Sequence, residues 1–182
     1  QHSSPSVLVD PDAANNHTML ATMVYVTNYN ADLAIGGFIF EPATVLSGAH
    51  PDTAKFVLSN NGPSDLIAPN NRVDLTFYLS GNTTFGDADD IPMGGYSANY
   101  GVASGAYSNI SLTNAEELNI TIPGTASGNY YVFVRVVLNA SSQLADPVTY
   151  NNYAVAAGQI TVINTSADLA ASNFTFLPDT LT

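Results

Sequence analysis

Apolar residues along this 182-residue chain recur at every second position. In "NRVDLTFYLS", Val73, Leu75, Phe77 and Leu79 share one face, and Asp74, Thr76, Tyr78 and Ser80 share the other. "TAKFVLSNNG" sets Ala54, Phe56 and Leu58 inward and Lys55 outward. "GNYYVFVRVVLN" sets Tyr130, Val132, Val134, Val136 and Leu138 inward and Arg135 outward. "AEELNITIP" places Leu118, Ile120 and Ile122 opposite Asn119. Alternation with a period of two predicts strands with one wet face. "NNGP", "PNN", "SGN", "MGG" and "PGTASGN" supply the turns between them. No stretch carries a helical stripe. The predicted fold class is all-β: an antiparallel β-sandwich of about seven strands, with strand-like extensions at both ends.

The pattern also repeats. Residues 8–46 align without a gap on residues 144–182, at a constant offset of 136, and 16 of the 39 pairs are identical. The identities include Asp10/Asp146, Asn15/Asn151, Asn16/Asn152, Asn28/Asn164, Phe38/Phe174, Phe40/Phe176 and Pro42/Pro178. Ala31-Asp32-Leu33-Ala34 recurs intact as Ala167-Asp168-Leu169-Ala170. A fixed period of this length is the mark of a repeated domain-sized unit.

The segments "ADLAIGGFIFEPATVLSGA", "FVLSNNGPSD", "VDLTFYLSGNTTFGDADDIPMGG", "ITIPGTASGNYYVFVRV" and "YNNYAVAAGQITV" span residues 31–163. In this order they resemble the CARDB-type domain, an immunoglobulin-like β-sandwich of bacterial and archaeal cell-surface proteins that often occurs in tandem. The resemblance implies a fold and a surface setting. It brings no catalytic activity with it. The expected organisation is an N-terminal extension over 1–30, a sandwich over 31–163, and a C-terminal extension over 164–182.

The extensions read as parts of neighbouring units: a last strand before the sandwich and a first strand after it. A lone strand leaves backbone groups unpaired and one apolar face unburied. The candidate assembly residues are Met19, Leu20, Met23, Val24 and Val26 on one side and Leu169, Phe174 and Phe176 on the other. Two readings follow. In the preferred one, the chain is a processed subunit starting at Gln1. It donates its N-terminal strand to an identical subunit and polymerises head to tail into an archaeal-type thread or pilus. In the other, it is one module of a tandem surface adhesin, or an accessory carbohydrate-binding domain.

Composition sharpens this picture. Three basic residues stand against fifteen acidic ones, for a formal charge of −12. Phosphate recognition needs clustered Lys and Arg, so nucleic acid is not an expected partner. No apolar run is long enough for membrane insertion as a helix. With no cysteine there is no disulfide framework and no thiolate metal site. Seven N-x-[ST] sequons occur, at Asn16, Asn82, Asn109, Asn119, Asn139, Asn164 and Asn173. They predict an exported, cell-surface protein carrying covalent N-glycans.

Candidate chemistry is sparse. "GDADDIP" clusters Asp87, Asp89 and Asp90, the one set of oxygens that invites Ca2+. The plain alternative is a solvated turn after the strand; no cofactor is required. His2, His17 and His50 share no ligand spacing, and no catalytic constellation is legible, so the expectation is not an enzyme. Tyr96, Tyr100 and Tyr107 are the nearest approach to a sugar-stacking platform, read as lying in one Gly/Ser-rich loop.

Overall fold

The structure is a computed structural model, and it describes residues 29–67, 71–113, 119–165 and Ser172. Nine strands follow one another: β1 (Leu33–Glu41), β2 (Thr44–Leu46), β3 (Thr53–Asn60), β4 (Val73–Ser80), β5 (Ile91–Ala98), β6 (Ala106–Leu112), β7 (Gly128–Leu138), β8 (Tyr153–Val155) and β9 (Ile160–Ile163). They form two sheets. One has the order β1-β3-β6; the other has the order β2-β9-β7-β4-β5, with β8 also pairing β7. Every pairing is antiparallel except β2 with β9. The expected all-β sandwich is what forms. β2 and β8 went unread because three residues are too few to show an alternation, and β5 and β6 because glycine and serine interrupt theirs: "MGG", expected as a turn, is Met93–Gly95 inside β5.

The inner faces follow the sequence pattern. Leu33, Leu58, Val73, Leu75, Phe77, Leu79, Val132, Val134 and Val136 are each almost wholly removed from solvent. Burial of each such side chain contributes about 1.5–3 kcal/mol. Phe38 joins the sheets, with its ring 6.5 Å from Phe56 in its own sheet and 6.1 Å from Phe77 in the other. Along β1 the alternation changes phase: Leu33 and Ile35 face inward, then Phe38 and Phe40. The ladder to β3 shifts register between Gly36 and Ile39, where Gly37 takes φ 59. An extra residue at a β-bulge needs this left-handed backbone, which glycine adopts without a Cβ penalty.

Two expectations are corrected. No strand runs through Asn119–Ile122. Asn119 sits in a turn at φ 55, and Ile120 makes only an isolated bridge to Gly94. Ile120 and Ile122 are nevertheless fully buried, so their alternation reflects core contact rather than strand pairing. Gly94, at φ 109, lies where any Cβ would meet the Asn119 carbonyl. The expected position of Leu118 lies outside the described residues. In β7, Phe133 points to the supposed wet face yet is 1% exposed. A second aromatic layer covers it: Phe85 at 5.3 Å and Tyr153 at 6.3 Å, with Phe85 stacked on Tyr153 at 4.7 Å.

The chain enters and leaves the sandwich at opposite ends. At entry, Ala31 N–H donates to the Ala145 carbonyl (2.9 Å) and Ala145 N–H to that of Tyr29 (3.0 Å). This is the end where β7 finishes: Leu33 N–H and Asn152 Nδ2 both donate to Asp146, and the Asn152 carbonyl accepts from Val136 N–H, two residues before the last residue of β7 (2.8 Å). At exit, Val162 pairs with Gly128, the first residue of β7, and Asn164 Nδ2 donates to the Gly124 carbonyl (3.4 Å). β7 is 11 residues long. At roughly 3.3 Å per residue, its ends lie about 35 Å apart.

Candidate functional site

The entry end is closed by a polar clasp. The Asp146 carboxylate accepts hydrogen bonds from Leu33 N–H (3.2 Å), Asn152 Nδ2 (3.0 Å) and Val148 N–H (3.2 Å). Asn151 Nδ2 donates to Asp32 Oδ1 (2.8 Å), and Ile35 N–H donates to the Asn151 carbonyl (3.1 Å). Asn152 is 2% exposed, and its N–H donates to the Thr149 carbonyl (3.4 Å). Its carbonyl accepts from Val136 N–H (2.8 Å), which ties the clasp to the centre of the larger sheet. The segment before β8 is thus fastened to the start of β1 by side chains together with single backbone bonds at Ala31 and Ile35, where no regular ladder reaches. Sequence reasoning did not single out this clasp. The signal was present: Asp32, Asp146, Asn151 and Asn152 are all identical across the 136-residue offset.

At the exit end the fastening is backbone. β2 runs parallel to β9 with Thr44, Val45 and Leu46 opposite Thr161, Val162 and Ile163. Ser47 N–H donates to the Ile163 carbonyl (2.9 Å). Where the chain passes from β1 to β2, an open groove of about 630 Å³ lies between Ile39–Ala43 and Ala156–Ile160. Phe40, Ala156 and Ile160 contribute its apolar lining.

The candidate assembly residues Met19, Leu20, Met23, Val24, Val26, Leu169, Phe174 and Phe176 lie outside the described residues. Their counterparts at the 136-residue offset do not. Leu33, Phe38 and Phe40 stand for Leu169, Phe174 and Phe176, and all three are buried. Ala156, Ile160 and Val162 stand for Leu20, Val24 and Val26, and they are buried too. Val155 and Gln159, the counterparts of Met19 and Met23, are exposed.

The acidic cluster forms as expected in the loop between β4 and β5, with Asp87, Asp89 and Asp90 oxygens within 4.8 Å of one another. Phe85, in the aromatic layer described above, anchors that loop to the sheet. Asn82 Nδ2 donates to Asp87 (2.9 Å) and to Asp89 (3.0 Å). Gly81 N–H donates to Asp89 (2.8 Å) and Gly86 N–H to Asp90 (2.6 Å). The hydrogen bond between the Asp87 and Asp89 carboxyls, with the Asn82 amide second, holds Asp87 below the usual carboxylate range. The same bond holds Asp89 above it. The two carboxyls are thus pushed apart in opposite directions, and N–H donors from Gly81, Asn82 and Gly86 offset the repulsion in the cluster. These three carboxylates are the oxygens that could hold a cation here.

The sequons differ in their surroundings. Asn109 is exposed on β6, the edge of the three-stranded sheet, and Asn119 is exposed in its turn. Asn82 spends its amide on the acidic cluster. Asn139 Nδ2 donates to both oxygens of Asp74 (2.8 and 3.0 Å). Asn164 lies at the exit end, and Asn16 and Asn173 lie outside the described residues. The tyrosines do not form a platform. Tyr96 is on β5 and Tyr107 on β6, and only Tyr100 is in the loop between them. The Tyr96 and Tyr100 hydroxyls meet at 2.5 Å, and both rings pack on the core. Burial pushes both phenols up, Tyr96 the further. His50 Nδ1–H donates to the Ile120 carbonyl (2.6 Å), so this ring is spent on holding the buried 120–122 segment. Among the described residues no helix is long and apolar enough to cross a membrane.

No protein-family profile matches the chain, and no curated protein matches it. Solved structures do. The chain is similar to the CARDB domain of a Pyrococcus furiosus protein, solved in complex with di-metal ions. The identity is 13%, with 75% of this chain and 97% of that one covered, at a TM-score of 0.41. It is also similar to an alkylpurine DNA glycosylase from Pseudomonas fluorescens bound to DNA with an abasic-site analogue (15% identity, 72% and 30% covered, TM-score 0.38). A third is a β-glucosidase from Erythrobacter marinus (11% identity, 73% and 16% covered, TM-score 0.39). Likeness at this level names no activity, ligand or partner for this chain; the resemblance to CARDB-type domains is one of fold.

Proposed function

We propose that this chain is a non-catalytic structural subunit of an extracellular, N-glycosylated filament, joined head to tail to identical copies by strand exchange. The observation that carries the reading is the separation of entry and exit. The sequence continues the same 136-residue pattern outward from both ends of one sandwich, and those ends point away from each other. A contact made from one pole to the opposite pole of the next copy is head to tail, and copies so joined propagate as a line wherever the rotation between them does not close a ring. The net charge of −12 and the seven sequons support an exported surface.

Electron microscopy of the purified chain tests the proposal. Unbranched filaments are expected. A monodisperse monomer at high concentration would rule the reading out. Deleting residues 1–30 should abolish filaments while the far-ultraviolet circular dichroism of the sandwich is retained; filaments that persist would exclude the N-terminal segment as donor.

The same geometry serves a module in a covalent tandem array, the second reading. The mass of the native polypeptide separates the two. A species near 19.1 kDa plus glycans fits the subunit, and a polypeptide several periods long fits the array.

A further inference from the structure

We propose that Asn109 carries an N-linked glycan that caps the bare edge of β6 and keeps neighbouring copies from pairing side by side. This rests on the exported, glycosylated surface proposed above and not on strand exchange at the poles.

The two sheet orders end in β1 and β6, and in β2 and β5. An unpaired edge is a template for a strand of another chain, and folded proteins blunt it with short strands, proline, bulges, charge or covering segments. Three of these edges are blunted. The first half of β1 is covered, since Leu33 N–H donates to Asp146 and Ile35 N–H to the Asn151 carbonyl. β2, like β8, is three residues long. β5 contains Pro92, and its Met93 carbonyl accepts from Thr121 N–H (2.8 Å). β6 has none of these devices. Ala106–Leu112 holds no proline, glycine or charge. Its register to β3 runs without a shift. Beyond that ladder, the backbone hydrogen bond it makes among the described residues is Ala106 N–H to the Ala103 carbonyl, in the turn at its start. Alternate N–H and C=O groups of the strand therefore point away from β3 with nothing to meet. The charge of −12 does not guard this edge either, because β3 and β6 together contain a single charged side chain, Lys55. An uncharged seven-residue strand without proline is the kind of segment that pairs with its own copy.

What β6 does have is a sequon on its open face. Tyr107, Asn109 and Ser111 share that face, and Tyr107 is 69% exposed. Asn109 is exposed too. No described residue hydrogen-bonds its amide, whereas the amides of Asn82 and Asn139 are taken up by carboxylates. Asn109 stands opposite Val57 on β3, and Val57 stands opposite Gly36 on β1. A trough of about 300 Å³ opens beside it, lined by Gly37, Lys55, Val57 and Ser111. Neither Gly36 nor Gly37 raises a side chain over this floor. A saccharide on Asn109 thus has Tyr107 on one flank, along the strand, and the trough on the other. Asn109 is the middle residue of β6, so a bulky, hydrated glycan there overhangs both halves of the edge. Without it, two β6 strands related by a two-fold axis can pair antiparallel and join two three-stranded sheets. That contact is isologous and closes at two copies, unlike a contact between poles.

The test compares the exported, glycosylated chain with its Asn109→Gln, Ser111→Ala and Asn109→Lys variants, by light scattering and hydrogen exchange. Glycopeptide mass spectrometry should find Asn109 occupied in the parent. Asn109→Gln and Ser111→Ala both destroy the sequon, and the second keeps the asparagine. In each, the particle mass, or the mass per length where filaments form, should rise roughly two-fold, with slowed exchange at alternate β6 amides. Asn109→Lys loses the same glycan, and any stability that comes with it, but sets a charge on the edge; it should keep the parent's mass. Gln and Ala variants that stay unpaired would overturn the cap. So would pairing that leaves β6 exchange unchanged, or a Lys variant that pairs as they do. An Asn109 found bare while other sequons are occupied would overturn the cap alone; every sequon bare would overturn the glycosylated surface with it. A glycosylated parent that forms no filaments would overturn strand exchange at the poles, and a two-fold rise in its sequon variants would still support the cap.

Discussion

Asp146→Ala is the sharpest test of how the entry end is held. The carboxylate accepts three hydrogen bonds, and two of their donors, Leu33 N–H and the Asn152 amide, belong to residues at 0% and 2% exposure. Val148 is only partly buried, so water replaces its bond at little cost. A buried donor left without an acceptor costs about 1–3 kcal/mol, which gives roughly 2–6 kcal/mol for the two. A cleft of about 350 Å³ lined by Asp146 and Asn152 lets water reach the vacancy and reduces the penalty. The expected loss is therefore about 2–4 kcal/mol, out of a total of roughly 5–15 kcal/mol for a domain. With a urea slope of about 2 kcal/mol per molar, the middle of the usual range, the midpoint should fall by roughly 1–2 M. The assay is urea unfolding followed by far-ultraviolet circular dichroism and tyrosine emission, tryptophan being absent. Lys55→Ala, an exposed change on β3, serves as the control and should lie within about 0.5 kcal/mol of the parent. A midpoint for Asp146→Ala indistinguishable from that control, at unchanged slope, would refute the claim that this carboxylate closes the sandwich.

Phe85→Ala should remove the ring that stacks on Tyr153 and covers Phe133, costing about 1–3 kcal/mol, and hydrogen exchange should then speed up selectively in the loop 81–90. Asp87 and Asp89 should titrate in two separate steps by carboxyl-carbon NMR, Asp89 above and Asp87 below the usual range. Because Asp89 is raised by folding, its contribution to stability grows as pH falls through its folded value; Asp87, being lowered, contributes above its unfolded value and loses that as pH falls further. Coincident titrations would refute the opposite shifts of the two carboxyls. Glycopeptide mass spectrometry should find Asn109 and Asn119 occupied more fully than Asn82 and Asn139, whose amide hydrogens are donated to carboxylates; the reverse order would contradict the geometry.

The central strands were legible because each has one wet face. Val73 to Leu79 in β4 and Ala54 to Leu58 in β3 are buried as the alternation requires. The rule misled where tertiary contacts covered both faces, as at Phe133, or where a buried alternation belonged to a loop, as at Ile120 and Ile122. Phe85 could not be placed from sequence, since its partners on β4, β7 and β8 come together only when the loop folds back. The acidic cluster was legible because its members are neighbours in sequence. The clasp joins residues 113 and 119 positions apart, and only the repeat marked it.

The opposed ends also determine how the unit bears load. In the proposed filament, tension would enter through the start of β1 and leave through the end of β9, which lie in different sheets. Both strands would be drawn along their own axes against β3 on one side and against β2 and β7 on the other. Their ladders would be sheared as a set rather than opened one bond at a time, and the force would cross from sheet to sheet through the side chains around Phe38. The asymmetry of the two fastenings would then set the order of failure. At the entry, a few side-chain hydrogen bonds to Asp146 and Asp32 would yield separately from the ladder behind them. At the exit, β9 is paired on both edges. Under rising force the sandwich would extend first at its N-terminal pole.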